Sequence, residues 1–304
     1  MSESPPTTPV CYRHPSRETY VRCTRCERPI CPDCMREASV GHQCPECVAE
    51  GRRTQRPART VFGGGAAGRH GYVTKTLLGL NVLLMLLSIL SDRGGDSAVG
   101  GTGFGGLLGG PTPLTEWGSV VGLFPLPFPA DHGVAAGEYY RLITAMFLHY
   151  GLLHLAMNMW ALWVLGRSLE ATLGPLRFLG LYLVAGLGGN VAAYLFSLPN
   201  QMTAGASTAI FGLFAALFVI MRKLGRDTSA VIPILVINLV FTFTVSNISV
   251  AGHLGGLALG AVMALVLAYA PRARRTLFQF GGGAVIVVAL LGLTLLRTAT
   301  LVVL

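Results

Sequence analysis

Charge is what this chain has least of. Among 304 residues only 14 are Asp or Glu and 23 are Lys or Arg, a charged share of 12% against 52% hydrophobic. Soluble domains carry roughly twice that charge, and the mean hydropathy of +0.58 points the same way. A soluble globular protein is therefore excluded. The long apolar runs contain no paired carboxylates and no broken-helix pattern, which excludes an ion-coupled transporter. Cysteine is missing beyond residue 47, and no apolar run occurs before Thr76, so no secretory signal is expected behind the polar start. The net charge of +9 raises the question of nucleic acid. Its arginines, however, lie mostly in the first 70 residues and in short connections, where membrane orientation accounts for them more simply.

What is present is a polar, Arg-rich head followed by apolar runs of bilayer length. Six spans are expected at roughly 74–91, 145–165, 176–197, 206–222, 229–247 and 250–270, with a seventh at 283–304. Basic residues flank them asymmetrically. Arg52, Arg53, Arg56, Arg59, Arg69 and Lys75 precede the first span; Arg167 and Arg177 follow the second. Arg222, Lys223 and Arg226 follow the fourth, and Arg272, Arg274 and Arg275 the sixth. If each run crosses once, all four clusters fall on one side, which is then cytoplasmic. The expected fold class is an all-α polytopic membrane helix bundle, with six core spans plus a seventh, carrying a small N-terminal zinc-binding domain. The expected boundaries are 1–50 for the zinc-binding domain and 51–72 for a flexible basic and Gly-rich linker. The six-span core then covers 73–270, and 271–304 forms a cytoplasmic loop and an extra C-terminal transmembrane helix.

This topology sets three polar residues at one depth. Spans two, four and six all start at the outer face, and His154, Ser207 and His253 lie in their opening turns. Polar groups are costly in lipid and usually functional there. Taken alone, Ser207 reads as a packing residue bonded back to its own helix, whereas a transmembrane histidine leans towards function. Gly252, Gly256 and Gly260 make a smooth stripe suited to close helix packing. If the stripe meets the small-residue face of span four at Gly205, Gly212 and Ala216, the hydroxyl and the imidazole can meet.

Five motifs in order resemble the rhomboid intramembrane serine proteases, over nearly all of 74–270. Gly137 to His149 is similar to the family's first-loop motif, with Arg141 in its aromatic-Arg pair. His154-Leu155-Ala156-Met157-Asn158 is similar to its His-xxx-Asn, and Glu170 to Gly174 to its Glu-xxx-Gly. Gly205-Ala206-Ser207 and His253 to Gly260 are similar to its Gly-x-Ser and His-xx-Gly-xxx-Gly. The resemblance implies a catalytic dyad of Ser207 as nucleophile and His253 as base, needing no cofactor. No carboxylate is in a position to orient the histidine. It further implies an oxyanion site built from His154, Asn158 and the Ser207 amide; a pair at i and i+4 shares one helical face. Gly205, Phe211, Gly256, Gly260, His149, Arg141 and Glu170 are expected in structural support. Phe211 stands where many relatives have tyrosine, so ring packing is kept and a hydroxyl is lost. His149 is balanced between site support and ordinary packing. The long loop at 93–136 is rich in Gly and Pro and carries Trp117, Phe124 and Phe128.

The head holds all seven cysteines plus His14 in four two-residue clips: Cys11/His14, Cys23/Cys26, Cys31/Cys34 and Cys44/Cys47. Eight donors make two tetrahedral zinc sites. An odd cysteine count and a cytoplasmic placement argue against disulfides. The head resembles a B-box-type zinc finger, in which alternate clips combine. That implies one ion on Cys11, His14, Cys31 and Cys34 and another on Cys23, Cys26, Cys44 and Cys47, both structural. His42 is a ninth candidate. The expected function is an intramembrane serine endopeptidase acting on single-span membrane proteins near the outer face. The alternative is a catalytically silent rhomboid-like client-binding protein with a zinc-finger interaction module. Expected partners are those substrates, the lipid bilayer and a cytoplasmic partner of the zinc domain, with nucleic acid disfavoured. The expected location is the bacterial plasma membrane, multi-pass, with the N-terminus cytoplasmic.

Overall fold

The structure is a computed structural model that describes residues 8–55, 58–65, 71–92, 109–123, 132–245 and 248–302. It divides into two compact units, Met1–Ala58 and Arg59–Leu304. The first has almost nothing apolar to bury. Six cysteines and Ile30 form its interior, with Tyr12, Cys26 and Met35 packed against them. Strand β1 (Arg36–Glu37) pairs antiparallel with β2 (His42–Gln43), and helix α1 (Pro45–Thr54) follows. Pro45 opens α1 where a missing N–H costs nothing, and the Cys44 sulfur accepts the Cys47 amide as its cap. The expected linker at 51–72 has structure at both ends. Residues 51–54 complete α1, and in the second unit Thr60 closes a turn with Gly63 and Gly64.

The second unit is helical because a chain in hydrocarbon must satisfy its backbone internally. Its elements are α2 (Tyr72–Ser91), α3 (Pro113–Gly118), α4 (Arg141–Thr144), α5 (Leu152–Leu173) and α6 (Pro175–Phe196). Then come α7 (Ser207–Lys223), α8 (Val231–Thr244), α9 (Val250–Tyr269) and α10 (Arg275–Val302). By length and composition α2, α6, α9 and α10 are each able to cross a membrane, and α4 with α5 forms a bent fifth candidate. Helices α7 and α8 are shorter, at 17 and 14 residues. The molecule is a multi-pass membrane helix bundle.

Three span boundaries differ from expectation. Residues 145–151 do not begin α5: they belong to a short helical segment and a break, and the axis turns by 89° before Leu152. Gly151, at φ +78°, makes that corner. Helix α8 stops at Thr244, inside the expected 229–247. Helix α10 starts at Arg275, eight residues before 283, because Gln279 and Arg177 give its polar first turns buried partners. Phe124 and Phe128 lie outside the described residues, while Trp117 stacks on Tyr140 at 5.0 Å between centroids.

Helices α6, α7 and α9 form the centre. Most of α6 is buried inside the bundle, whereas α10 is largely exposed on its outside. The approach of α7 to α9 is backbone on backbone. A Cβ at Gly256 would strike the Thr208 carbonyl, and one at Gly260 would strike Gly212. At the other end Glu170, fully buried, accepts the Val73 and Thr74 amides at 3.0 and 2.9 Å and the Thr74 hydroxyl at 2.7 Å. Its charge thus satisfies the unpaired first turn of α2 and its positive dipole end.

Candidate active site and metal centres

Ser207 is the first residue of α7. The strand-like stretch before it is tied down on both sides: Val120 and Thr203 exchange backbone bonds of 2.9 and 2.8 Å, and the Gly205 amide donates to the Ala145 carbonyl at 2.9 Å. Gly205 has φ +142°, and a Cβ there would lie 2.9 Å from the His154 ring, so both conformation and space demand glycine. The first bond within α7 runs from the Ile210 amide to the Ala206 carbonyl. The Ser207 amide therefore belongs to the unpaired opening turn, at the positive end of the helix.

His253 is positioned from a different direction. Ser249 caps α9 by accepting the Gly252 amide at 3.1 Å, which places His253 in the first full turn. Its Nε2 lies 2.8 Å from Ser207 Oγ across 46 residues of sequence. Phe211 stacks on the imidazole, with centroids 4.2 Å apart and planes 19° from parallel.

A residue not singled out from sequence completes the arrangement. Thr242 Oγ1 lies 2.8 Å from His253 Nδ1 and donates its own proton to the Asn238 carbonyl, also at 2.8 Å. A hydroxyl with its hydrogen so committed can only accept, so Nδ1 carries the imidazole proton and Nε2 presents a lone pair to Ser207. Only Val231 and Thr242 are buried in α8. A polar residue near the end of the apolar run 231–244, one helical turn after Asn238, is the signal that could have found it.

The remaining expected residues surround this pair. The rings of His149 and His154 meet edge to face at 5.1 Å, and His149 Nε2 accepts the Ala206 amide at 3.4 Å, beneath the Ser207 turn. Asn158 sits one turn along α5 from His154, and its amide donates to the His154 carbonyl at 2.8 Å. Arg141 is 2% exposed and donates to Glu138 at 2.7 Å and to the Glu116 and Ser119 carbonyls at 2.7 and 3.1 Å. Burial works against the Glu138 charge, but Arg141, the Gly133 amide and His132 overcome it and hold the carboxyl down at about 2. Glu138 thus keys the loop before α4, a role not assigned to it from sequence.

In the head, the alternate clips converge. Cys11, His14, Cys31 and Cys34 form one group and Cys23, Cys26, Cys44 and Cys47 the other, with donor atoms within 4.8 Å of one another. Cys26 and Cys44 sulfurs are 3.8 Å apart, the edge of a tetrahedron with metal–sulfur bonds of about 2.3 Å. His14 offers Nδ1, at 3.3 Å from Cys31 and 3.4 Å from Cys34. Backbone amides reach the sulfurs, Cys44 to Cys23 at 3.2 Å and Cys47 to Cys44 at 3.3 Å, and Arg28 Nε reaches Cys26 at 3.3 Å. Each group can hold one tetrahedral metal ion. His42, on β2, belongs to neither.

Comparison with known proteins agrees with the bundle. The rhomboid domain model matches residues 136–270. Rhomboid protease GluP of Bacillus subtilis is 43% identical over 142 residues, 44% of this chain and 27% of that protein. Putative rhomboid protease YdcA of the same organism is 37% identical over 139 residues, 44% of this chain and 70% of the relative. RHOMBOID-like protein 6, mitochondrial, of Arabidopsis thaliana is 33% identical over 148 residues, with 46% and 47% covered. The chain belongs to the rhomboid family.

Proposed function

We propose that this protein is an intramembrane serine endopeptidase in which Ser207 is the nucleophile and His253 the base. The observation that carries the reading is the 2.8 Å contact between His253 Nε2 and Ser207 Oγ, with Nδ1 occupied by Thr242. In the proposed reaction Ser207 Oγ attacks the peptide carbonyl while His253 Nε2 takes its proton, then returns it to the leaving amine. Water, activated by the same imidazole, releases the acyl group. The unpaired Ser207 amide faces the developing oxyanion. His154 is near enough to Gly205 to join it, and Asn158 joins by releasing its bond to the His154 carbonyl. Thr242 is a positioning residue that fixes the tautomer.

The positive-inside pattern supports an external, water-accessible position for this site and a cytoplasmic head. Substrates would be single-span proteins entering from the bilayer and cut near the outer face, in a bacterial plasma membrane. In the head, the donor set of soft thiolates and one imidazole, spaced for tetrahedra, fits two structural zinc ions. With all four positions filled, neither ion offers a place for a catalytic water.

The test is cleavage of a single-span reporter by purified protein in liposomes, comparing wild type, Ser207→Ala and His253→Ala. Cleavage by wild type and its loss in both variants is expected. Equal cleavage by all three would sink the dyad, and a folded wild type that binds the reporter without cutting it would favour the silent client-binding reading.

A further inference from the structure

A cavity of about 370 Å³ lies at the end of the bundle opposite Ser207, walled by Arg59, Arg177, Arg272, Arg274 and Arg275 together with Thr276. No carboxylate lines it. Among the described residues none of these five arginines is in an ion pair. Five like charges around one space repel each other, and the arrangement is relieved by an anion between them. The amino ends of α6 and α10, helices of 22 and 28 residues, both come to this place and add their positive dipole ends.

A merely solvated basic face would keep its guanidinium groups in water. Arg177 does not: it is only 7% exposed. Its Nε donates to Gln279 Oε1 at 2.7 Å, and Gln279, 1% exposed, is itself anchored to the Leu267 and Phe62 carbonyls at 2.7 and 3.2 Å. This fixes the guanidinium in the cavity wall, with the Phe280 ring 5.7 Å away. Arg275 is held likewise, donating to the Val61 carbonyl at 2.9 Å. Along α6, Arg177 lies twelve residues before Gly189, which touches Thr208, so about 18 Å separates the cavity from the Ser207 level.

We propose that this cavity is a binding site for a phosphate group, of the kind carried by an anionic phospholipid headgroup or by a soluble phosphate. Planar guanidinium forks match phosphate oxygens in pairs, and basic pockets between helices at the cytoplasmic interface suit anionic lipid. A zwitterionic headgroup fits less well, because its cation would meet the same arginines.

The test uses the full-length, delipidated protein in detergent, with three probes: dioctanoyl-phosphatidylglycerol, dioctanoyl-phosphatidylcholine and inorganic phosphate. Bound stoichiometry is read by native mass spectrometry and affinity by the shift in thermal unfolding. The variants are Arg272→Gln/Arg274→Gln, whose side chains are exposed, and Arg177→Gln. Wild type is expected to bind one phosphatidylglycerol in preference to phosphatidylcholine, and the double variant to bind it roughly 30-fold more weakly. Binding of inorganic phosphate with the same arginine dependence assigns the site to a soluble phosphate; binding of phosphatidylglycerol alone assigns it to lipid. If Arg177→Gln fails to fold, the double variant decides the matter by itself. Equal binding of both lipids, or binding indifferent to the arginines, overturns the proposal.

Discussion

The head and the bundle bring side chains together by opposite means. In the head the donors come in clips three residues apart, and the interior is little more than the sulfurs and Ile30. A domain of that size buries too little apolar surface to fold on packing alone, and the proposed metal ions would make up the difference. In the bundle the two central residues are 46 positions apart and no local spacing relates them. They meet because Gly256 and Gly260 let α9 lie on the backbone of α7. Shape does there what the proposed ligation would do in the head. One unit is therefore open to chemical dismantling, and the other only to steric change.

The largest effect expected is loss of the head. Chelation of zinc, or Cys23→Ser with Cys44→Ser, removes a term on the order of 10 kcal/mol and should collapse amide dispersion for residues 8–55. The thermal transition of the bundle should stay where it is; a bundle that melts with the head would show that the two units do not hold together independently. Next, Ser207→Ala and His253→Ala should each lower reporter cleavage by about 10⁴-fold or more while zinc content stays equal to that of wild type. Zinc loss in either variant would tie the two units together.

Gly256→Leu comes third. Its side chain meets the Thr208 carbonyl, so α9 must move off α7, at a cost of about 3 kcal/mol and with cleavage lost. Unchanged melting of that variant would mean that the helices tolerate a wider separation than the glycine stripe implies.

Glu138→Gln tests the loop before α4. Because the folded carboxyl is held at about 2, below its ordinary 4.5, the ionised form stabilises the fold. That stability is fully present above pH 4.5 and is lost as pH falls through about 2. The variant should melt several degrees lower at pH 7, and its difference from wild type should shrink below pH 4.5. A constant difference across that range would refute the assignment.

The smallest effect belongs to Thr242. Thr242→Val removes the acceptor for His253 Nδ1 and should lower kcat about tenfold with little change in KM, while Thr242→Ser restores it. Equal kcat in the Val and Ser variants would show that the contact is packing and no more.

How much of this was legible differs by residue. The eight donors were readable because a clip is local, and their grouping by alternate clips was expected from a resemblance. Glu170 was legible as structural, though its partners Val73 and Thr74 lie nearly a hundred residues away. Thr242 and Glu138 were not assigned roles: a threonine in an apolar helix and a glutamate in a loop look ordinary until the groups facing them are known. Helix α10 began earlier than expected because hydropathy marks lipid contact, whereas helix extent also depends on buried polar partners such as Gln279 and Arg177.

By itself the sequence determined that the chain crosses a membrane several times, between which apolar runs its basic residues collect, and which donors the head offers. Those properties depend on composition and on neighbours within one or two helical turns, and the solvent enforces them. Tertiary structure alone decided that Ser207 and His253 lie 2.8 Å apart, that Thr242 orients the imidazole, and that five arginines share one cavity. Each is a contact between distant segments, set by how closely whole helices approach, and no local pattern records that distance.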